Sequence, residues 1–200
     1  MKEKIKGLIM PILGWLGIFL FIIMLLFEAL PLLSNNSSLG TFRLMTRQRV
    51  LQQRIVKDVL ILAYRTSLDD HAEAISELQT VLPVWEQVQK GLQKGDSSLG
   101  ISPNLPTDVK LLLIQSQPDF AYLDAAAHQV LKNPSPVDLV QLSIILQHDQ
   151  PYYLTMGQAN DLFQEKIVNA AKLYFSIELG IGIVLVSIWV VFQISFRRKS

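Results

Sequence analysis

The sequence predicts an all-α protein: a membrane-anchored up-down bundle of four-helix type, set between two transmembrane helices. Apolar residues concentrate at the two ends of the chain, the long middle carries a helical apolar period, and no β-alternation of useful length occurs. Half of the 200 residues are hydrophobic and only 18% are charged, a balance seldom met in a soluble domain of this length.

The first span is the easiest element to justify. No charged residue lies between Leu8 and Phe27, enough chain to cross about 30 Å of hydrocarbon at about 1.5 Å per residue. The exit, Glu28-Ala29-Leu30-Pro31-Leu32-Leu33, lacks a small-x-small cleavage site, which favours an uncleaved signal anchor. A second apolar run extends from Leu179 to Phe196, with Glu178 at its outer edge. Gly180, Gly182 and Ser187 within it allow close helix approach in lipid. Lys2, Lys4 and Lys6 precede the first run, and Arg197, Arg198 and Lys199 follow the second. The positive-inside rule then keeps both termini in the cytoplasm of a two-pass protein of the inner or plasma membrane. The expected layout is a cytoplasmic tail (1–7), a first transmembrane helix (8–33), an extracytoplasmic helical domain (34–172), a second transmembrane helix (173–196) and a short cytoplasmic tail (197–200).

Within the domain, Asn35-Asn36-Ser37-Ser38 offers N-cap residues. Leu44, Leu51, Ile55, Val59 and Leu62 then form one apolar face of a first helix reaching about Thr66. Ser67-Leu68-Asp69-Asp70 reads as a turn and a fresh cap. A second helix to about Lys94 buries Ala74, Leu78, Val81, Trp85, Val88 and Leu92, with Pro83 predicting a kink. The stretch from Gly95 to Pro106 is the clearest loop. A third helix runs from Thr107-Asp108 to about Leu131, with Pro118 able to divide it. Asn133-Pro134-Ser135-Pro136 is the next turn. The last helix starts near Val137, meets Pro151 and enters the second span without a turn signal.

The first domain helix is unusually basic: Arg43, Arg47, Arg49, Arg54, Lys57 and Arg65 stand against Asp58 alone. At about 100° per residue, all but Arg49 share one stripe, while Arg49 falls near the edge of the apolar face. A solvated basic face with an Arg54–Asp58 pair at i,i+4 is one reading. A site for an anion or carboxylate is the other, because guanidinium forks bind planar oxyanions in bidentate fashion. In a dimer about this helix, Arg49 would meet its symmetry mate, and the two charges would call for an anion between them.

The stretch Thr46-Arg47-Gln48-Arg49-Val50-Leu51-Gln52-Gln53-Arg54-Ile55-Val56-Lys57 resembles the signature of the type IV pilus methyl-accepting chemotaxis transducer N-terminal module, shared with nitrate/nitrite sensor kinases. Met156-Gly157-Gln158-Ala159, followed by Glu178 before the second span, is similar to another stretch of such modules. Thr46 and Gln52 depart from the glycine and serine usual in the signature. The resemblance implies a homodimeric, extracytoplasmic ligand-sensing module. Its ligand would be a small anion, nitrate-like, gripped by Arg49 with Arg54, Arg47 and Gln53 as further ligand-binding candidates. It also implies a cytoplasmic signalling domain or a separate kinase partner.

Other chemistry finds little support. The net charge of +1 gives no global attraction to nucleic acid, and the absence of cysteine excludes disulfides, thiolate metal sites and a thiol nucleophile. His71, His128 and His148 lack metal-ligand spacing, and His148-Asp149 reads as an isolated surface pair. Tyr152, Tyr153, Phe163 and Tyr174 read as core or interface aromatics rather than a pocket, Trp85 as a core anchor, and Glu178 as a snorkelling carboxylate. No catalytic constellation and no cofactor site is expected. Two functions remain: a sensory input module, or a membrane-anchored helical interaction or scaffold subunit without a small-molecule ligand.

Overall fold

The computed structural model describes residues 38–65, 67–134 and 136–197. The first apolar run, the two terminal tails expected in the cytoplasm apart from Arg197, and Asn35 to Ser37 therefore lie outside the described residues. The described elements are helical: α1 (residues 38–64), α2 (Leu68–Lys94), α3 (Thr107–Gln115), α4 (Gln117–Lys132) and α5 (Leu139–Arg197), with a 3-10 turn at Ser97–Leu99. Contacts divide the chain into a unit spanning Asn36–Ile167 and a second unit that takes in the chain from Val168 onward.

Cross-helix pairs give the larger unit its topology. Gln48 and Arg54 of α1 meet Trp85 and Glu77 of α2. Glu86 and Gln93 of α2 meet His128 and Gln117 of α4. Asp108 of α3 and Asp119 of α4 meet Lys166 and His148 of α5. In each pair one number rises as the other falls, so neighbours run antiparallel. Thr46 and Gln53 of α1 meet Asn160 and Asp149 of α5, which closes the ring. The unit is an up-down bundle whose third position is shared by α3 and α4.

The helices form where the sequence places them, for local reasons. Ser67 caps α2 by accepting the Asp70 N–H, with Asp69 and Asp70 in the first turn where the helix dipole favours negative charge. Pro83 stays inside α2, and Pro151 inside α5. The third predicted helix divides at Ser116, whose hydroxyl hydrogen-bonds the Leu113 carbonyl; Pro118 then occupies the first turn of α4, where its missing N–H costs nothing.

The apolar stripes expected for α1 and α2 face inward. Leu51, Ile55, Val59, Leu62, Ala74, Leu78, Val81, Trp85, Val88 and Leu92 are buried, and Leu44 partly so. At the centre, the Trp85 ring lies 4.4 Å from Phe120 and 5.5 Å from Tyr152, centroid to centroid. Three helices are thereby locked around one aromatic cluster.

The loop after α2 folds onto the bundle. Asp96 and Ile101 pair through two backbone hydrogen bonds, and the Ile101 side chain is buried beside Gly91. Gly95 makes the turn at φ 80°, and a Cβ there would sit 2.6 Å from the Pro103 Cα. Gly100 also has positive φ but open space around it.

From Val168 the surface changes character. Leu173, Phe175, Leu179, Ile183, Val186 and Val191 are all exposed. The stretch Leu139–Ile188 contains an 18-residue window of mean hydropathy 1.7 with no residue buried, so α5 is long and apolar enough to cross a membrane.

Gly95→Ala meets both the backbone penalty and a steric clash, whereas Gly100→Ala meets the penalty alone. Thermal denaturation of the detergent-solubilised chain is expected to show Gly95→Ala the more destabilising, by at least about 1 kcal/mol.

Candidate functional site: the polar seam between α1 and α5

Over about two turns, α1 carries polar side chains on the flank that meets α5. The Thr46 hydroxyl donates to Asn160 Oδ1 at 3.1 Å. The Arg49 guanidinium lies over the Tyr153 ring, 4.0 Å from its centroid. Gln52 and Gln53 both donate to the Asp149 carboxylate, and Gln52 also to the Asp149 carbonyl at 3.1 Å. On α5 these partners stand at 149, 153 and 160, with Gly157 between them, so one helical stripe receives the whole set.

Arg49 is the unusual member. Its Nε is buried without a hydrogen-bond partner, and among the described residues no carboxylate pairs with it. A Cβ on Gly157 would sit 3.3 Å from its Cζ. Glycine at 157 therefore admits the flat guanidinium against the α5 backbone, and Tyr153 supplies a cation–π face one turn earlier. The arrangement leaves a positive group seated at a helix seam without an acid to neutralise it.

One layer deeper, the seam continues into the core. Gln48 donates to the Trp85 carbonyl at 2.9 Å and to Gln89 Oε1 at 3.2 Å. The Tyr152 hydroxyl donates to the same Gln89 oxygen at 3.0 Å, and burial pushes its ionisation far above the usual phenol range. Burial also raises the Asp149 carboxyl, an effect the Gln52 and Gln53 amides partly offset.

The other sequence candidates lie elsewhere. Arg54 turns to α2, where its Nε meets Glu77 Oε1 at 2.6 Å; the expected Arg54–Asp58 pair does not form. An acid on the neighbouring helix offers a better-aligned partner than the one a turn away. Lys57 bridges Glu77 at 2.7 Å and Asp58 at 3.0 Å. Arg47 is exposed and makes no ion pair among the described residues. Within one protomer the structure thus brings Arg49 and Gln53 to α5, Arg54 to α2, and Arg47 to solvent.

The histidines also find unexpected partners. His148 pairs with Asp119 at 2.7 Å rather than with Asp149, and its ring stacks on Tyr122 at 4.3 Å. His128 meets Glu86 at 2.8 Å and Asp124 at 3.8 Å. Asn160 and Asp124 carry no signal in the sequence, where Asp149 reads only as a surface neighbour of His148, and His128 as lacking metal-ligand spacing.

Asp58 is buried, with its side chain 1% exposed, and burial pushes its carboxyl up to about 6, with Lys57 pulling it back and Glu77 adding to the rise. Folding therefore favours the protonated acid over the unfolded chain, whose carboxyl ionises near 3.8. This stabilisation is complete below about pH 4 and lost as pH rises through about 6, a change of at most about 3 kcal/mol. Melting temperatures from pH 4.5 to 7.5 are expected to show a falling contribution in the wild type that Asp58→Asn removes, with the variant the more stable at neutral pH.

Neither family models nor curated proteins nor solved structures match this chain.

Proposed function

We propose that this chain is the extracytoplasmic sensing module of a two-pass transmembrane receptor, of the kind found in type IV pilus chemotaxis transducers and nitrate/nitrite sensor kinases. The observation that carries this reading is Arg49: a guanidinium held at the α1–α5 seam by a ring and a glycine backbone, with no acid paired to it among the described residues. Such a group offers an oxyanion both charge and donors. The ligand class is a small anion, nitrate-like. Binding draws on Arg49, with Gln53 beside it on the same flank and Arg47 and Arg54 as outer contacts, and it shifts α1 against α5. Displacements of about 1–2 Å between helices suffice for signalling of this type. Output passes to a cytoplasmic signalling domain or a separate kinase.

The module acts as a homodimer about α1. Val50, next to Arg49, is 54% exposed, an apolar residue on the open flank of that helix, with Leu39 and Tyr64 exposed along its length as well. The same apolar positions also favour the second reading, an anchored interaction subunit that binds an acidic protein surface without a small ligand.

Thermal-shift titration of the full chain in detergent with nitrate, nitrite and small carboxylates tests the ligand. One anion at about 100 times its dissociation constant adds about 2.7 kcal/mol, and Arg49→Ala abolishes the shift. A folded protein with no response to the panel would leave the interaction subunit as the better reading. Dimerisation is tested separately by Val50→Cys, made in a chain with no native cysteine. Oxidation is expected to yield a covalent dimer, while Leu111→Cys, also exposed but on α3, stays monomeric.

A further inference from the structure

We propose that Glu86, Asp124 and His128 form a binding site for a divalent transition ion of the zinc class, tying α2 to α4. The three side chains converge from two antiparallel helices, with one ligand atom of each lying within 4.8 Å of the others. His128 Nε2 is 2.8 Å from Glu86 Oε1 and 3.8 Å from Asp124 Oδ1. In a tetrahedral site with metal bonds of about 2.0–2.1 Å, ligand atoms stand about 3.3 Å apart. The two distances bracket that value and the two carboxylates lie within 4.8 Å of each other, so side-chain rotations bring the three donors onto one ion.

The local chemistry favours a cation at this point. Two carboxylates face each other across the helix pair, and their repulsion is relieved by a divalent charge between them. Asp124 Oδ1 is shielded from solvent and accepts no hydrogen bond, yet it is the oxygen directed at the imidazole. Asp124 and His128 are one turn apart on α4, the spacing that presents two ligands on one helix face. Lys90 lies 3.4 Å from Glu86 Oε2, so it engages the carboxylate oxygen that the site does not use. An imidazole with two carboxylates suits zinc and its neighbours in the transition series better than calcium or magnesium, which take oxygen ligands. His128 is 54% exposed, which gives the ion a path in and leaves room for water as the fourth ligand.

The site is independent of the Arg49 seam, and the two fail or succeed separately. The test uses the full untagged chain in detergent, stripped with a chelator. Isothermal titration with Zn²⁺ is expected to show one ion per chain, and Co²⁺ to develop visible d–d absorption of tetrahedral type. His128→Ala and Glu86→Gln each weaken Zn²⁺ binding by roughly 100-fold while helix content is retained by circular dichroism, and His148→Ala and His71→Ala leave it unchanged. Zn²⁺ also raises the melting temperature of the wild type and not of His128→Ala. Absence of heat and of Co²⁺ absorption in folded wild type would overturn the proposal. So would binding that survives both His128→Ala and Glu86→Gln, or that disappears with His148→Ala instead.

Discussion

Arg49 imposes the constraint around which the α1–α5 seam is built. A guanidinium does not shed its proton in a protein, and its hydration must be replaced wherever a helix packs over it. Here α5 meets that demand without an acid. Tyr153 offers the negative face of its ring, and Gly157, one turn on, offers a bare backbone that a methyl group would crowd at 3.3 Å. The neighbouring rungs then take their register from this contact. Gln52 and Gln53 fall on Asp149, and Thr46 on Asn160. An apolar seam tolerates several registers at similar energy, whereas donors and acceptors pair in one, because a buried polar atom left without a partner costs about 1–3 kcal/mol.

The α2 side of the bundle is held differently. Trp85, Phe120 and Tyr152 interlock three helices through ring contacts, and burial of that kind involves no charge for salt to screen. Helix α1 is thus packed between unlike neighbours. Toward α2 it buries Ile55, Val59 and Leu62 in the common core and adds the Arg54–Glu77–Lys57 network at the edge; toward α5 it relies on amides, a hydroxyl and one unpaired guanidinium. A ligand that competes for Arg49 acts on the seam that carries these polar contacts. On the proposed reading, that is why the response falls between the first and last helices of the bundle and leaves the core in place.

Much of this was legible in the sequence, and the remainder has a common physical reason for being hidden. Apolar period placed the buried faces of α1 and α2 residue by residue, since burial of a helix stripe depends only on spacing of about 3.6. Ser67, Gly95 and Pro118 marked boundaries because caps, positive φ and a missing N–H are local properties. Arg49 could be set apart from the other basic residues by angle alone. Polar partners were not legible. Arg54 prefers Glu77 to Asp58, and His148 prefers Asp119 to Asp149, because a charge on an adjacent antiparallel helix outcompetes one along the same helix. Glutamines carry no periodic signal, so the inward course of Gln48 and Gln52 emerges only from packing. Asp124 and His128 lie on one face by spacing, but Glu86 comes from another helix.

Pro151 gives the seam its last physical property. It stands inside α5 between Asp149 and Tyr153, where it removes the hydrogen bond that the Gln147 carbonyl would otherwise accept and crowds that carbonyl. This turn is thus one backbone hydrogen bond short. Asp149 is fixed to Gln52 and Gln53 before it, and Tyr153 to Arg49 after it. On the proposed reading, a ligand at Arg49 therefore acts on α5 just after the proline, where Tyr153 and, one turn further on, Gly157 hold the guanidinium against that helix.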